Sequence, residues 1–196
     1  MFRKPLAALV FAAALVLPGA AQQSAVPADE MIGPMVGAQA PAGTVVTAAG
    51  EETTLAALAG ENGTAIAFVR SLDWCPYCKA QAKGLEAARA PLEEAGWSLV
   101  LLSYDSPETL AGFAEKNGLT YTMVSDANSE LIRAYGLLNE EMREGSKYWG
   151  IPHPAVVFVR TDGTVGAVLR EEGYEKRPEV EAITETALLL NEAAGS

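Results

Sequence analysis

The chain has 196 residues, with 14 Lys+Arg against 25 Asp+Glu and a formal net charge of −11. It lacks the basic clusters that phosphate contacts need, so nucleic acid is not an expected partner. Two cysteines and one histidine are too few for a disulfide-rich scaffold or for a tetrahedral zinc site, and the length suits one domain with a substantial core.

Arg3 and Lys4 precede an apolar run over residues 6–17, and Pro18-Gly19-Ala20-Ala21 offers small residues for cleavage near Ala21. This pattern predicts a secretory signal peptide over 1–21. The run is shorter than the roughly 20 residues a bilayer requires, so the chain is not expected to span a membrane. Removing Arg3 and Lys4 takes the charge from −11 to −13. Export, to the bacterial periplasm first and the extracellular space second, places the cysteines where disulfides form and persist. Residues 22–43 are rich in Ala, Pro and Gly without periodicity and predict a flexible leader, with the folded domain over 44–196.

Within the domain, TVVT (44–47) predicts a short strand and Thr53 to Ala59 a short helix with a Thr cap. TAIAFVR (64–70) and WSLVLLSY (97–104) are apolar runs of strand length, as in central buried strands. Between them, Cys78, Ala82, Leu85 and Ala88 repeat at three- and four-residue steps and predict a helix over 76–90, completing a βαβ unit. SPETLAGFAEKNG predicts a helix capped by Ser106, opened by Pro107 and stopped at Gly118. YTMVSD predicts a strand, and NSELIRAYG (128–136) a short helix capped by Asn128 or Ser129. A long irregular segment over 137–152, holding Tyr148 and Trp149, is expected to pack beside the active site. PAVVFVR and TVGAVLR, joined by Thr161-Asp162-Gly163, predict a hairpin, and Pro178 opens a last helix with Val180, Ile183, Ala187 and Leu190 inward. The expected fold class is therefore α/β, a three-layer sandwich with a central mixed sheet.

The chemistry is expected at Cys75-Pro76-Tyr77-Cys78, where a buried strand leads through a short loop into a helix. Unpaired N–H groups and the positive end of the helix dipole favour a thiolate at Cys75. Pro76 fits the first turn, where its missing N–H costs nothing. Cys78 is one turn deeper and within reach of Cys75, so Cys75 is expected to attack and Cys78 to resolve the mixed disulfide. A static staple over so short a loop would constrain the unfolded chain little. No metal site and no cofactor are expected.

WCPYC after a strand, within this αβ order, resembles the thioredoxin fold and its redoxin group, which includes peroxiredoxin-like proteins of the alkyl-hydroperoxide-reductase/thiol-specific-antioxidant family. The resemblance covers roughly residues 45–190. It implies a cis-proline before the strand facing the site, placed at Pro154, with the backbone around His153 free to pair with substrate, and an insertion ahead of that strand. It also implies a thiol-dependent oxidoreductase acting on protein disulfides. Alternatives are a hydroperoxide reductase with antioxidant activity and a non-enzymatic maturation factor that holds a partner or metal. Either enzyme needs an external thiol donor.

Two family features are replaced here. The position of the buried carboxylate that assists the resolving thiol in thioredoxins holds Val69, leaving water, Asp73 or Glu86 as candidate proton relays. In the peroxiredoxin P-x-x-x-T/S-x-x-C pocket, Phe68 and Leu72 stand at the proline and hydroxyl positions, and Ser71 misses the latter by one. Arg70, Arg133, Arg143 and Arg160 are candidate arginines, with Arg70 in a segment unlike the family's. Trp74 and Tyr77 are expected to form an apolar collar around the sulfurs, and His153 to fill the groove as a polar residue or, in its cationic form, to stabilise the Cys75 thiolate. Paired glutamates such as Glu93-Glu94 and Glu171-Glu172 read as a solvated acidic face.

Overall fold

Seven strands alternate with four helices in chain order: β1 (Thr44–Thr47), β2 (Glu52–Thr54), β3 (Gly63–Phe68), α1 (Pro76–Glu94), β4 (Trp97–Ser103), α2 (Pro107–Asn117), β5 (Thr122–Ser125), α3 (Glu130–Ala134), β6 (Ala155–Arg160), β7 (Val165–Leu169) and α4 (Val180–Ala194). They come from a computed structural model that describes residues 32–195. The signal peptide expected over 1–21 lies outside the described residues. The strands form one mixed sheet in the order β2-β1-β5-β4-β3-β6-β7.

The two apolar runs pair in parallel at the centre, with Phe68 opposite Leu102, and β6 runs antiparallel on the other side of β3, with Phe68 opposite Ala155. The carboxyl ends of β3 and β4 and the start of β6 thus meet at one edge of the sheet. Side-chain alternation divides the core. Ala65, Ala67, Leu99, Leu101, Val156 and Phe158 share one cluster with α1, α2 and α4; Ile66, Phe68, Val100, Leu102 and Val157 share another with α3. Each large apolar side chain so buried stabilises the fold by about 1.5–3 kcal/mol. Helices on both faces make the expected three-layer, thioredoxin-like sandwich, with the β6–β7 hairpin and α4 closing it.

Most local signals hold. Ser106 Oγ accepts from Thr109 N–H at 3.3 Å, and Gly118 ends α2 in the left-handed region at φ 63°. Helix α1 runs past residue 90 and through Pro91, because Leu92 continues the buried stripe one turn after Ala88. Three expectations are adjusted by the structure. Thr53 and Thr54 belong to β2, whose backbone pairs with β1, and only Ala56–Leu58 turns helically, with Thr54 Oγ1 accepting from Ala57 N–H. Ser129 takes the N-cap position of α3 at φ 56°, but its side chain makes no capping hydrogen bond, and the buried Asp126 carboxylate accepts from Glu130 and Ile132 N–H in its place. Residues 33–40, expected within a flexible leader, are tied to the rest of the fold. Gly33 N–H donates to Gly136 C=O, and Gly37, Ala38 and Ala40 exchange backbone hydrogen bonds with Val165 and Gly163. Those partners lie more than a hundred residues on, beyond the reach of a local pattern.

Candidate active site

Cys75 is the N-cap of α1, and its sulfur accepts a hydrogen bond from Cys78 N–H at 3.3 Å. The two cysteines form a disulfide with Cα atoms 5.3 Å apart, and both are almost fully buried, at 1% and 0% exposure. An oxidant or reductant must therefore reach them through a shaped opening.

The turn before Cys75 is fixed by Asp105, which follows β4. Its carboxylate accepts from Ser71 Oγ at 2.7 Å, Leu72 N–H at 2.6 Å and Ser103 Oγ at 3.0 Å. Ser71 Oγ in turn accepts from Asp73 N–H at 3.0 Å. Such charge-assisted bonds in a buried setting hold the loop rigid. The hydroxyl of Ser71 is thereby committed, and Leu72 occupies its neighbour's place with a buried apolar side chain.

An open cavity of about 380 Å³ exposes the edge of Cys75 between Arg70, Trp74, Tyr77, Met142, Tyr148 and Tyr174. The Arg70 guanidinium lies 5.0 Å from the Trp74 ring centroid and 4.4 Å from that of Tyr174. This sandwich attracts the cation through the ring quadrupoles. Burial lowers the Arg70 pKa, with the surrounding tyrosines opposing it. Arg70 thus shares a cavity with Cys75, whereas Arg160 is turned to Leu190 C=O and Arg133 to Ser129 C=O.

The segment over 137–152 packs against this cavity. Tyr148 meets the Trp74 ring edge-to-face at 4.8 Å, and Tyr104 Oη donates to Lys147 C=O at 2.7 Å while accepting from Trp74 Nε1–H at 2.9 Å. Pro76 is the first residue of α1. Tyr77 is exposed, with its hydroxyl donating to Glu175 at 3.2 Å.

Four expected site features are placed differently. The Pro154 peptide is trans, since no described peptide bond is cis. The chain ahead of β6 is held extended by the Leu138–Pro152 bridge and by His153 N–H, which donates to Leu137 C=O at 2.6 Å. That N–H is therefore unavailable to a substrate backbone, and trans is the lower isomer by about 0.5–1 kcal/mol. His153 lines a neighbouring cavity with Arg70, Arg170 and Glu141 rather than the one at Cys75. Burial, then the charges of Arg170 and Arg70, push its pKa down against the pull of Glu141, so the imidazole is held neutral. Glu86 is eight residues beyond Cys78 on α1, about 12 Å along the axis. It is bound to Thr120 N–H at 2.8 Å and to the Thr120 hydroxyl and Arg89. Burial raises its carboxyl, and these bonds more than offset that, holding it below the ordinary value. Asp73 is exposed, with its backbone carbonyl on the Lys79 ammonium. Val69 is fully buried in the core.

One site residue has no signal in the local sequence. Arg177, in the turn before α4, donates from Nη2 to Cys78 Sγ at 3.5 Å and from Nε to Gln81 Oε1 at 2.8 Å. Asp105 and Tyr104 were likewise missed; an Asp-Ser-Pro run directly after a buried strand was the available signal for Asp105.

Among the described residues no helix is long and apolar enough to cross a membrane. The model of the AhpC/TSA family matches residues 36–168. Peroxiredoxin Bcp of Escherichia coli is 30% identical over 116 residues, covering 59% of this chain and 72% of the relative. A peroxiredoxin-like protein from Aquifex aeolicus superposes with a TM-score of 0.65 at 25% identity, over 79% of this chain and 86% of that one. Peroxidoxin BcpB from Mycobacterium tuberculosis shares the fold, with a TM-score of 0.67 at 20% identity over 85% and 100% of the two chains. Family membership implies thiol and peroxide substrate chemistry. With its Cys75–Cys78 disulfide seated at the head of α1, the chain belongs to the AhpC/TSA family of the thioredoxin fold and is a thiol-dependent oxidoreductase.

Proposed function

We propose that the Cys75–Cys78 dithiol reduces small hydroperoxides. The observation that carries this reading is the cavity at Cys75: small, walled by aromatic rings, and lined by one guanidinium, that of Arg70. The Cys75 thiolate attacks one peroxide oxygen, the O–O bond breaks, and the departing alkoxide takes a proton to leave as alcohol or water. Cys75 is then a sulfenic acid. The Cys78 thiolate attacks its sulfur, the S–S bond forms, and hydroxide leaves and is protonated to water. An external thiol donor returns the pair to the dithiol by two exchange steps, itself becoming a disulfide. Arg70 replaces the family's hydroxyl as the polar group that meets the peroxide, since Phe68 and Leu72 cannot. The name of the Escherichia coli relative agrees with this substrate class.

Oxidoreduction of protein disulfides is the second reading, favoured by the C-x-x-C pair at a helix N-terminus. Against it, the His153 N–H that would pair with an extended peptide beside the site is already bound to Leu137 C=O. Export is proposed from residues 1–21 and places the thiol donor outside the cytosolic pool. The test is to reduce the protein and follow tryptophan fluorescence by stopped flow, since Trp74 adjoins Cys75. Oxidation by hydrogen peroxide or an alkyl hydroperoxide is expected to outrun exchange with a disulfide peptide; the reverse order would favour the second reading.

A further inference from the structure

We infer that Arg177 is a catalytic residue for the Cys78 sulfur, serving as the fixed counter-charge that holds Cys78 as a thiolate whenever the disulfide is open. The inference rests on Cys78 cycling with Cys75, and not on which oxidant opens the cycle.

The guanidinium is held from three sides. Gln81 Oε1 takes Nε–H, the carbonyls of Tyr174 and Lys176 take Nη1, and Nη2 is left to Cys78 Sγ at 3.5 Å. All the oxygen acceptors are neutral, and among the described residues no carboxylate forms an ion pair with it. Burial, then the like charge of Arg70, pull its pKa down to about 10, so it remains a cation at neutral pH while lacking a compensating anion. A half-buried unpaired cation gains from an anion placed beside it. The opened Cys78 thiolate is that anion. The core cluster that holds Cys78 contributes apolar side chains, Leu99 and Leu101 from β4 and Ile183 and Ala187 from α4, and Glu86 of α1 is bound to Thr120; the charged groups Glu171, Lys176 and Glu179 line the adjoining cavity with Arg177 and Gln81 without forming an ion pair to the guanidinium. Arg70 adds a second positive charge from the end of β3, while Lys79 is turned to Asp73 C=O and Glu175 to Tyr77.

Arg177 thus acts where Val69 has removed the usual carboxylate, by electrostatics rather than proton transfer. During resolution the Cys78 thiolate attacks the Cys75 sulfenic sulfur, the S–S bond forms, and hydroxide leaves to become water. During regeneration a donor thiolate attacks Cys75, the S–S bond breaks, and Cys78 departs with the electron pair as thiolate. Arg177 lies beyond the residues matched by the family model.

The test uses the full chain carrying C75S, so that Cys78 is the single thiol, and follows its ultraviolet thiolate absorbance against pH with Arg177 intact, R177Q and R177K. R177Q is expected to raise the Cys78 pKa and reduce the thiolate fraction at neutral pH by roughly tenfold. R177K is expected to recover much of it, with a near-ultraviolet circular dichroism spectrum matching the parent confirming the fold. An unchanged Cys78 titration in a folded R177Q protein would overturn the inference, and so would an R177K titration no different from R177Q. Neither result depends on peroxide, so failure of the proposed substrate would leave this outcome intact.

Discussion

Trp74 Nε1–H donates to the Tyr104 hydroxyl at 2.9 Å, and that hydroxyl donates onward to Lys147 C=O at 2.7 Å. One side chain from the end of β4 therefore fastens both the turn leading to Cys75 and the long segment before β6. Tyr104→Phe removes both bonds while preserving the ring. It is expected to cost about 1–2 kcal/mol in chemical denaturation and to speed hydrogen exchange at the Trp149 amide. Protection at Trp149 equal to the parent's would show that the segment is held by other contacts.

Arg70 is the charged side chain lining the Cys75 cavity, stacked between Trp74 and Tyr174. Arg70→Met, which keeps an unbranched apolar stem between the rings, is expected to slow Cys75 oxidation by hydroperoxide roughly tenfold to a hundredfold. Arg70→Lys recovers part of the rate, because a compact ammonium lacks the planar stack and the fork of donors. Second-order rate constants from stopped flow decide the point, and a wild-type rate in Arg70→Met would remove Arg70 from the mechanism.

His153 gives the fold a defined pH response. Its folded pKa lies below the ordinary 6.5 because burial and the Arg170 and Arg70 charges disfavour the imidazolium. The unfolded chain titrates near 6.5, so on acidification it takes up the proton before the folded chain does. This contribution to stability is complete above about pH 6.5 and is lost as pH falls towards the depressed folded value. His153→Gln should flatten that part of the stability profile. A proton NMR titration of this single histidine reads the pKa directly, and a value above 6.5 would reverse the slope.

The sequence made the scaffold legible wherever a signal was local. Residues 64–70 and 97–104 are apolar enough to be buried on both faces, and Ser106, Pro107 and Gly118 mark both ends of α2 by capping chemistry alone. Cys75 and Cys78 announced themselves by spacing and by the strand before them. What escaped was tertiary. Arg177 reaches Cys78 across 99 residues, and Gln39 pairs with Thr164 across 125, so no window of sequence contains either relationship. Ser129 holds the α3 N-cap position as the pattern suggests, but Asp126, standing just after β5 with its carboxylate buried, accepts the helix N–H groups that a capping side chain would take. The cis expectation at Pro154 came from resemblance, and the Leu137–Leu138 pairing with Pro152–His153 set the local backbone instead. Glu86 had the right chemistry for a relay, but its helix carries it two turns away to Thr120.

The division of roles is that the Cys75 sulfur is oxidised and the Cys78 sulfur closes the disulfide. It is tested most directly by treating reduced C78S with one equivalent of hydroperoxide in the presence of a cyclic 1,3-diketone, which traps sulfenic acids, and locating the adduct by peptide mass spectrometry. An adduct on Cys75 is expected in C78S, and its replacement by the intramolecular disulfide when Cys78 is restored. A trapped adduct on Cys78 in C75S, formed as fast as that on Cys75 in C78S, would contradict the division of roles; no adduct on either, with a mixed disulfide formed readily from a peptide disulfide, would contradict the peroxide chemistry.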